Sequence, residues 1–170
     1  MLDSSGSCAA AEPVDDNDCV QNLNGMGTFD VHYDAATELI LMNCTIPYGS
    51  YAGWGWGLNM IQTEMVIFSA YGKDTSTVTT YYSTSKDDPD LDTTTQPCYT
   101  STITDLGNNY AQFITTRPLD CGIPDSYVVK LDTELHLITG WNPDDPKLSY
   151  HENNVLEFVQ LFAADGTCTF

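Results

Sequence analysis

The chain has 170 residues, which is enough for one domain with a sizeable hydrophobic core. Its 24 acidic residues against five basic ones give a formal net charge of -19, so bulk electrostatics exclude binding to nucleic-acid phosphates or anionic lipid. Neutral ligands, metal cations and basic proteins are the partners that such a surface favours. The hydrophobic content of 42% is typical of a folded domain.

Short β-rich runs separated by turn clusters follow one another along the chain, and helix signals are scarce. This pattern predicts an all-β fold, an antiparallel β-sandwich of the immunoglobulin-like kind. The last run also fits a helical stripe through Val155, Phe158, Val159 and Phe162, but the β character of everything before it favours a strand. The predicted strands cover residues 29–33, 38–46, 51–58, 64–71, 77–83, 99–104, 110–117, 127–131, 134–139 and 155–162.

The connecting segments divide the chain into an arm and a domain. Residues 1–28 are predicted to form an irregular N-terminal arm tied by disulfides, and residues 29–170 one sandwich domain. Residues 105–109 have the composition of a hairpin connection. The loop at 86–97 superficially resembles a calcium loop, but it lacks the sixth-position glycine and the closing glutamate of an EF-hand. A solvated loop is the favoured interpretation.

An even number of dispersed cysteines predicts three disulfides in an oxidising compartment, and therefore a secreted protein. The sequon at Asn43 is consistent with a secreted glycoprotein. No signal peptide and no apolar run of about 18 residues is present, so we expect a mature secreted form or an ectodomain with no membrane span. The cysteines are Cys8, Cys19, Cys44, Cys98, Cys121 and Cys168.

One disulfide pairing follows from a predicted hairpin. Cys98 and Cys121 flank the two strands between 99 and 117, which would bring the two cysteines close together. The other four cysteines allow three pairings, among which Cys19 with Cys168 is favoured.

Two separated segments carry the most informative residues of the chain, whereas hydrolase, P-loop and dinucleotide motifs are absent. Gly53-Trp54-Gly55-Trp56-Gly57-Leu58-Asn59-Met60 is an apolar strand whose glycines permit close approach and which leads to a thioether. Far downstream, His151 lies in a polar loop, whereas His32 and His136 lie within predicted strands. Met and His are the axial pair of haem in many electron-transfer cytochromes. Core packing for Met60 and a surface position for His151 are the alternatives.

The order of these segments resembles a known family. Besides the glycine strand, the resemblance rests on Phe29-Asp30-Val31-His32-Tyr33, Glu64-Met65-Val66-Ile67-Phe68, Ile114-Thr115-Thr116-Arg117-Pro118-Leu119 and Tyr150-His151. The chain looks like a DOMON domain, similar to the cytochrome part of cellobiose dehydrogenase. It departs from the family pattern in the late strand, where Trp141 is displaced. The resemblance implies a β-sandwich and one haem b ligated by Met60 and His151.

Further site residues are predicted around that haem. Trp54, Trp56 and Tyr150 are candidates to line its faces, with core packing as the alternative for the tryptophans. Arg117 is a candidate partner of a propionate, although pairing with a protein carboxylate is the favoured alternative. Met65 is the alternative ligand to Met60. The haem is expected to be non-covalent, because the chain contains no C-x-x-C-H motif.

The predicted function is that of an extracellular b-type cytochrome domain that carries single electrons. Such a domain is not itself an enzyme, although it can form part of a larger oxidoreductase. Its expected partner is a redox protein or domain, with a basic one favoured by the acidic surface, and self-assembly is a further expectation. The alternatives are a carbohydrate-binding module, with aromatic side chains as stacking platforms, and a structural extracellular subunit without haem.

Overall fold

Two antiparallel sheets pack face to face in the computed structural model, which describes residues 20–57, 60–85, 88–124, 126–149 and 155–169. The predicted all-β sandwich is therefore confirmed. A short 3-10 helix at Gln96–Cys98 precedes β8. The strands in these residues are β1 (Val20–Asn22), β2 (Thr28–Asp34), β3 (Leu39–Pro47), β4 (Ser50–Trp56), β5 (Thr63–Ala70), β6 (Thr77–Ser83), β7 (Asp90–Leu91), β8 (Thr100–Gly107), β9 (Tyr110–Pro118), β10 (Glu134–Asn142), β11 (Val155–Phe162) and β12 (Cys168–Thr169).

The strand order places β4 inside the larger sheet. One sheet has five strands in the order β1-β2-β3-β9-β8, and the other has seven in the order β12-β11-β10-β4-β5-β6-β7. On the two sides of β4, Gly55 lies opposite Ile138 of β10 and opposite Met65 of β5. This register determines which side chains surround the glycines of β4.

Burial differs between the strands of the two sheets. β3 alternates, with Ile40, Met42 and Ile46 fully buried and Leu39 and Leu41 partly exposed. This is the pattern of a strand with one face on the core and one face toward solvent. In contrast, β4 and β5 are buried at every position. Since only one of their faces packs against the second sheet, loop residues must cover the other.

Nine of the ten predicted strands correspond to β2–β6 and β8–β11, with their ends shifted by a few residues. The prediction for 127–131 is wrong. Tyr127 donates its backbone N–H to the Glu64 carboxylate at 2.7 Å, and Val129 donates its N–H to the carbonyl of Leu119 at 2.8 Å. The backbone of this segment therefore bonds to a buried side chain and a loop instead of a sheet ladder.

The predicted N-terminal arm is corrected in its last part. Residues 20–22, which were predicted to be irregular, form β1 and pair with β2. Residues 1–19, including Cys8 and Cys19, lie outside the described residues. The N-terminal boundary of the sandwich is therefore not at residue 29.

The predicted disulfide between Cys98 and Cys121 is confirmed, and its Cα atoms are 5.6 Å apart. Closing this loop should stabilise the fold by about 3 kcal/mol. Cys168 is also disulfide-bonded, to a partner outside the described residues, so its pairing with Cys19 stays a prediction.

The prediction of three disulfides is wrong for Cys44, which is a free thiol with no exposed surface. Cys44 points into the core from β3, and the residues directly opposite it on the neighbouring strands are Phe29 and Phe113. No cysteine faces it there, so it behaves as a small apolar side chain. Burial raises the pKa of the Cys44 thiol well above its ordinary value.

Candidate functional site

A groove lies on the outer face of the seven-stranded sheet, above β4 and its neighbours. Its floor contains Gly53 and Gly55 of β4 and Gly140 of β10. Gly53 and Gly140 are direct ladder partners, and Gly55 lies two residues farther along the same face. The groove is partly open to solvent, and the space within and above it amounts to about 360 Å³. At these three positions the floor therefore contributes backbone and no side chain of its own.

Two of the glycines leave no room for a larger residue at their positions. A Cβ atom at Gly53 would lie 2.6 Å from Cδ1 of Ile67, and one at Gly55 would lie 2.7 Å from Cγ2 of Ile138. Any larger residue would thus displace the walls of the groove. The glycines thus let the side chains of Ile67 and Ile138 lie against the backbone of β4, and the surface formed in this way is suited to an apolar ligand.

Apolar side chains form the walls, and two of them are thioethers. Met65 and Ile67 come from β5 and Ile138 from β10, whereas Met60 and Leu148 belong to loops. Met60 and Leu148 are only partly buried and pack against the cluster that contains Met65 and Ile67. The predicted ligand Met60 and its alternative Met65 therefore line the same groove.

Tyr51, which also lines the groove, holds the loop that continues toward His151. Its hydroxyl donates a hydrogen bond to the backbone carbonyl of Ser149 at 2.6 Å, and the Asn142 amide donates to the Ser149 hydroxyl at 3.2 Å. Burial raises the pKa of Tyr51 to about 12, so the hydroxyl keeps its proton at physiological pH. Residues of β4 and β10 thus fix Ser149 beside the groove.

Carboxylates flank the groove on two loops. Asp88 precedes Pro89, which lines the groove, and Asp145 lies in the loop that leads to Leu148. After burial, the electrostatic influence of these two carboxylates is among the causes that raise the pKa of Tyr51. The surroundings of the groove are therefore acidic.

The two tryptophans of β4 face away from the groove. Trp54 stacks on Phe29 with ring centroids 5.0 Å apart, and Trp56 stacks on Tyr127 at 5.8 Å. Both indoles are buried in the core between the sheets, on the face of β4 opposite Gly53 and Gly55. The structure thus supports core packing for both residues and corrects the prediction that their rings line a haem. Only the backbone of Trp54 can contribute to the groove.

Arg117 is fully buried, and its guanidinium faces the core side of β5. Its Nη1 lies 2.9 Å from Glu64 Oε1 and 3.1 Å from the Tyr99 hydroxyl. Its Nη2 donates to the Tyr127 carbonyl at 2.6 Å and to Cys121 Sγ at 3.3 Å, and its Nε donates to the carbonyl of Pro118 at 3.1 Å. These contacts use all five N–H donors of the guanidinium.

The prediction that Arg117 pairs with a propionate is accordingly corrected, since no donor remains for one. The alternative, pairing with a protein carboxylate, is what the structure shows. Glu64 is itself buried and also accepts a hydrogen bond from the Tyr99 hydroxyl at 2.5 Å. Trp56 Nε1 donates to the same hydroxyl at 3.1 Å, which extends the network to the back of β4.

Tyr150 and His151 lie outside the described residues, so their predicted roles are untested. Among the other histidines, His136 is exposed on β10, and His32 lies 3.3 Å from the Asp30 carboxylate. Asn43, the predicted glycosylation site, is half-buried on the central strand β3 and accepts a hydrogen bond from Gln112 at 3.1 Å. Glycosylation of Asn43 stays a prediction.

Several groove residues were not predicted from the sequence. Gly140 and Ile138 become recognisable only once β10 is paired with β4, and Tyr51 only through its contact with Ser149. Leu148 was present in the segment that drew attention to His151, but no local signal assigned it a role. Strand register was the missing information.

Two solved structures share this architecture. The cytochrome domain of Myriococcum thermophilum cellobiose dehydrogenase matches with a TM-score of 0.59 and 15% sequence identity, over 83% of this chain and 77% of that chain. The cytochrome b domain of pyranose dehydrogenase from Coprinopsis cinerea matches with a TM-score of 0.60 and 10% identity, over 82% of this chain and 79% of that chain. The fold is that of these cytochrome domains. No family model and no curated protein matches the chain.

Within the described residues, no helix is long and apolar enough to cross a membrane. Within the same residues, no group of three or more His, Cys, Asp or Glu side chains is arranged to hold a metal ion. In the described part of the chain, the aspartates of the loop at 88–92 thus provide no such group.

Proposed function

We propose that this chain is an extracellular b-type cytochrome domain that carries single electrons through one non-covalent haem b, held between Met60 and His151. The observation that carries the proposal is the glycine-floored apolar groove with a methionine at its edge, on a fold shared with the two cytochrome domains. The domain would be an electron-transfer module of a larger oxidoreductase, not a catalyst by itself.

The residues on the described side of the groove fit a haem. Its macrocycle is flat and apolar, and at Gly53, Gly55 and Gly140 the floor contributes no side chain of its own. Met60 offers a soft, uncharged thioether, which is an established haem ligand. Ile67 and Ile138 provide apolar walls that would exclude water from the macrocycle.

Chain connectivity supports His151 as the second ligand. Ser149 is fixed beside the groove by Tyr51, and β11 begins at Val155, which lies opposite Gly140 in the ladder. Consecutive Cα atoms are about 3.8 Å apart, so a residue two positions after Ser149 can be no more than about 8 Å from it. Both ends of the segment that contains His151 therefore lie close to the floor of the groove.

The ligand types favour electron transfer over oxygen chemistry. Held by Met60 and His151, the haem would supply one-electron redox chemistry and leave no site open to oxygen. The protein's part is to supply Met60 and His151, to exclude water with the apolar walls, and to hold the His151 segment through Tyr51.

Absorption spectroscopy of the purified protein, expressed with a haem supply, tests the proposal. We expect a Soret band, one haem per chain, sharp α and β bands on reduction, and no spectral change with carbon monoxide. Protein that remains without haem after reconstitution, or that binds carbon monoxide in its reduced form, would contradict the proposed site.

The carbohydrate-binding alternative loses its main support. All three tryptophans are buried, with Trp54, Trp56 and Trp141 exposing 1%, 0% and 5% of their surface. They therefore offer no indole face on which a sugar could stack. The disulfide between Cys98 and Cys121 supports a secreted location, since such bonds persist in oxidising compartments.

Removing the Tyr51 hydroxyl is expected to weaken haem retention. Tyr51→Phe keeps the ring in the groove wall but removes the bond to Ser149, so the His151 segment should be held less firmly. By analogy with groups that orient metal ligands, we expect haem to dissociate roughly 10-fold faster. Transfer of haem to apomyoglobin measures this rate. Tyr81→Phe is the matched control, because Tyr81 packs against the same cluster, and a similar acceleration there would contradict the role of Tyr51.

Electron exchange with a cationic protein should depend strongly on salt. Asp88 and Asp145 flank the groove in a chain of net charge -19, and the screening length is about 8 Å at physiological ionic strength. We expect the second-order rate with a basic cytochrome to fall by at least ~10-fold from low to high salt. Stopped-flow kinetics provide the rate, with a small neutral reductant as the control. A salt-independent rate would mean that the acidic surface has no steering role.

A further inference from the structure

The edge strands of the two sheets differ in length and exposure, and the proposed function does not explain this difference. Within the described residues, three of the four edge strands are very short: β1 has three residues, and β7 and β12 have two each. The fourth, β8, has eight residues, and every one of them is exposed. Proteins commonly shorten or protect such edges, because a long edge strand has unpaired backbone groups that can pair with another chain.

β8 also extends beyond the packed part of the sandwich. Its main packing partner is β9, and even Ile103, which is paired with the core residue Phe113, is 37% exposed. Both faces of the strand and its free edge are thus accessible. The irregularity that disturbs its pairing lies between Asp105 and Gly107, so the stretch from Thr100 to Thr104 is regular.

The composition of β8 is unusual for this chain. In a protein with 24 acidic residues, the strand contains one, Asp105, which lies 3.4 Å from Lys73. It contains no lysine and no proline, which are the residues that commonly protect an edge. Alternating threonines and Ile103 give it high β propensity instead.

We propose that β8 is a docking edge for a second copy of this chain, and that two β8 strands pair antiparallel about a two-fold axis to continue the five-stranded sheet. A basic partner would find little negative charge on this edge to recognise, whereas a second copy meets a strand without repulsive charges. Two-fold homodimers are also the commonest oligomers of soluble proteins.

In one register of this pairing, the residues that face each other on the two β8 strands are compatible. With the axis at Thr102, Thr100 lies opposite Thr104 of the second copy, and Ser101 lies opposite Ile103. Threonine pairs and β-branched contacts across antiparallel strands are favourable, and Asp105 then faces no carboxylate of β8. The two Ile103 side chains lie diagonally across the interface, where one copy covers apolar surface of the other.

Sedimentation equilibrium on the full chain, from low micromolar to sub-millimolar concentration, tests the proposal. We expect a monomer–dimer equilibrium that tightens as salt screens the repulsion between two chains of charge -19. Ile103→Lys places a charge in the interface, and Thr102→Lys places two like charges opposite each other at the axis. Each variant should raise the dissociation constant at least ~10-fold.

Ile114→Lys is the matched control. Ile114 is 38% exposed on β9, next to β8 but away from the free edge, and the variant has the same net charge. It should dimerise as the original chain does, and circular dichroism verifies that all three variants are folded. A chain that stays monomeric at high salt, or a dimer weakened equally by the control, would overturn the proposal. Two folded β8 variants that dimerise normally would overturn it as well.

Discussion

Replacing Arg117 with methionine is expected to lower the free energy of unfolding by about 3–5 kcal/mol. Methionine roughly preserves the buried apolar stem but removes the cation. Glu64, whose side chain is 1% exposed, would then keep its charge in the core without the guanidinium that now lies 2.9 Å away. The loss is large because an unpaired buried charge has neither water nor a partner to stabilise it. Urea denaturation followed by far-UV circular dichroism measures the change.

Two variants separate this effect from a general loss of positive charge. Lys130 is exposed, so Lys130→Met removes the same charge from the surface and should change stability by no more than about 0.5 kcal/mol. In the double variant Glu64→Gln with Arg117→Met, no charge remains buried, and the amide can still accept the Tyr127 N–H. We expect this variant to recover most of the lost stability.

An alternative result would identify a different role for the pair. If Arg117→Met alone lost less than about 1 kcal/mol, the ion pair would contribute little to folding. If the double variant were no more stable than Arg117→Met, the missing contacts of Arg117 to Tyr99, Tyr127 and Cys121 would matter more than the charge.

Much of the sandwich was predictable because strand signals are local. A β-rich run of residues identifies β3, and the two residues between Gly107 and Tyr110 form the hairpin turn, with positive φ angles at Asn108 and Asn109. Such patterns depend on neighbours within the same strand or hairpin, and for that reason a single sequence contains them. β11 is a strand, as the β character of the preceding segments predicted, and not the helix that its apolar stripe would also fit.

The orientation of β4 could not be read in the same way. Its residues are buried on both faces, so alternation of hydrophobicity does not tell which face meets the second sheet. From the sequence alone, either Trp54 or Gly53 could face the second sheet. Only the pairing of β4 with β10 and β5 decides between them. For this reason the sequence located the segment of the groove but left open whether its tryptophans line the groove or pack in the core.

Long-range pairing also explains the remaining errors. The segment at 127–131 has strand-like composition, yet its backbone bonds to Glu64, Leu119 and Arg117. The sequence does not distinguish Cys44 from a disulfide-bonded cysteine. Only the phenylalanines opposite it in the sheet show that no partner is near. In both cases the deciding groups are distant in sequence.

Removing the proposed methionine ligand is expected to have the largest effect on haem. Met60→Ala should convert a six-coordinate low-spin spectrum into a five-coordinate one that binds carbon monoxide when reduced. Haem retention should also weaken more than ~10-fold, since even groups that only orient ligands change affinity by about 10–100-fold. His151→Ala should produce the same loss of low-spin character, because either axial ligand leaves an open position when it is removed.

Met65→Ala is the decisive comparison, because Met65 lines the same groove and differs chiefly in position. Met65 lies within β5 opposite Gly55 and is 6% exposed, whereas Met60 lies in the loop before β5 and is only partly buried. A thioether on a loop can turn toward a ligand without disturbing a sheet, whereas Met65 contributes to the packed wall. Met65→Ala should therefore retain the six-coordinate spectrum and bind no carbon monoxide. If Met65→Ala opened the coordination site and Met60→Ala did not, Met65 would be the ligand and Met60 part of the groove wall.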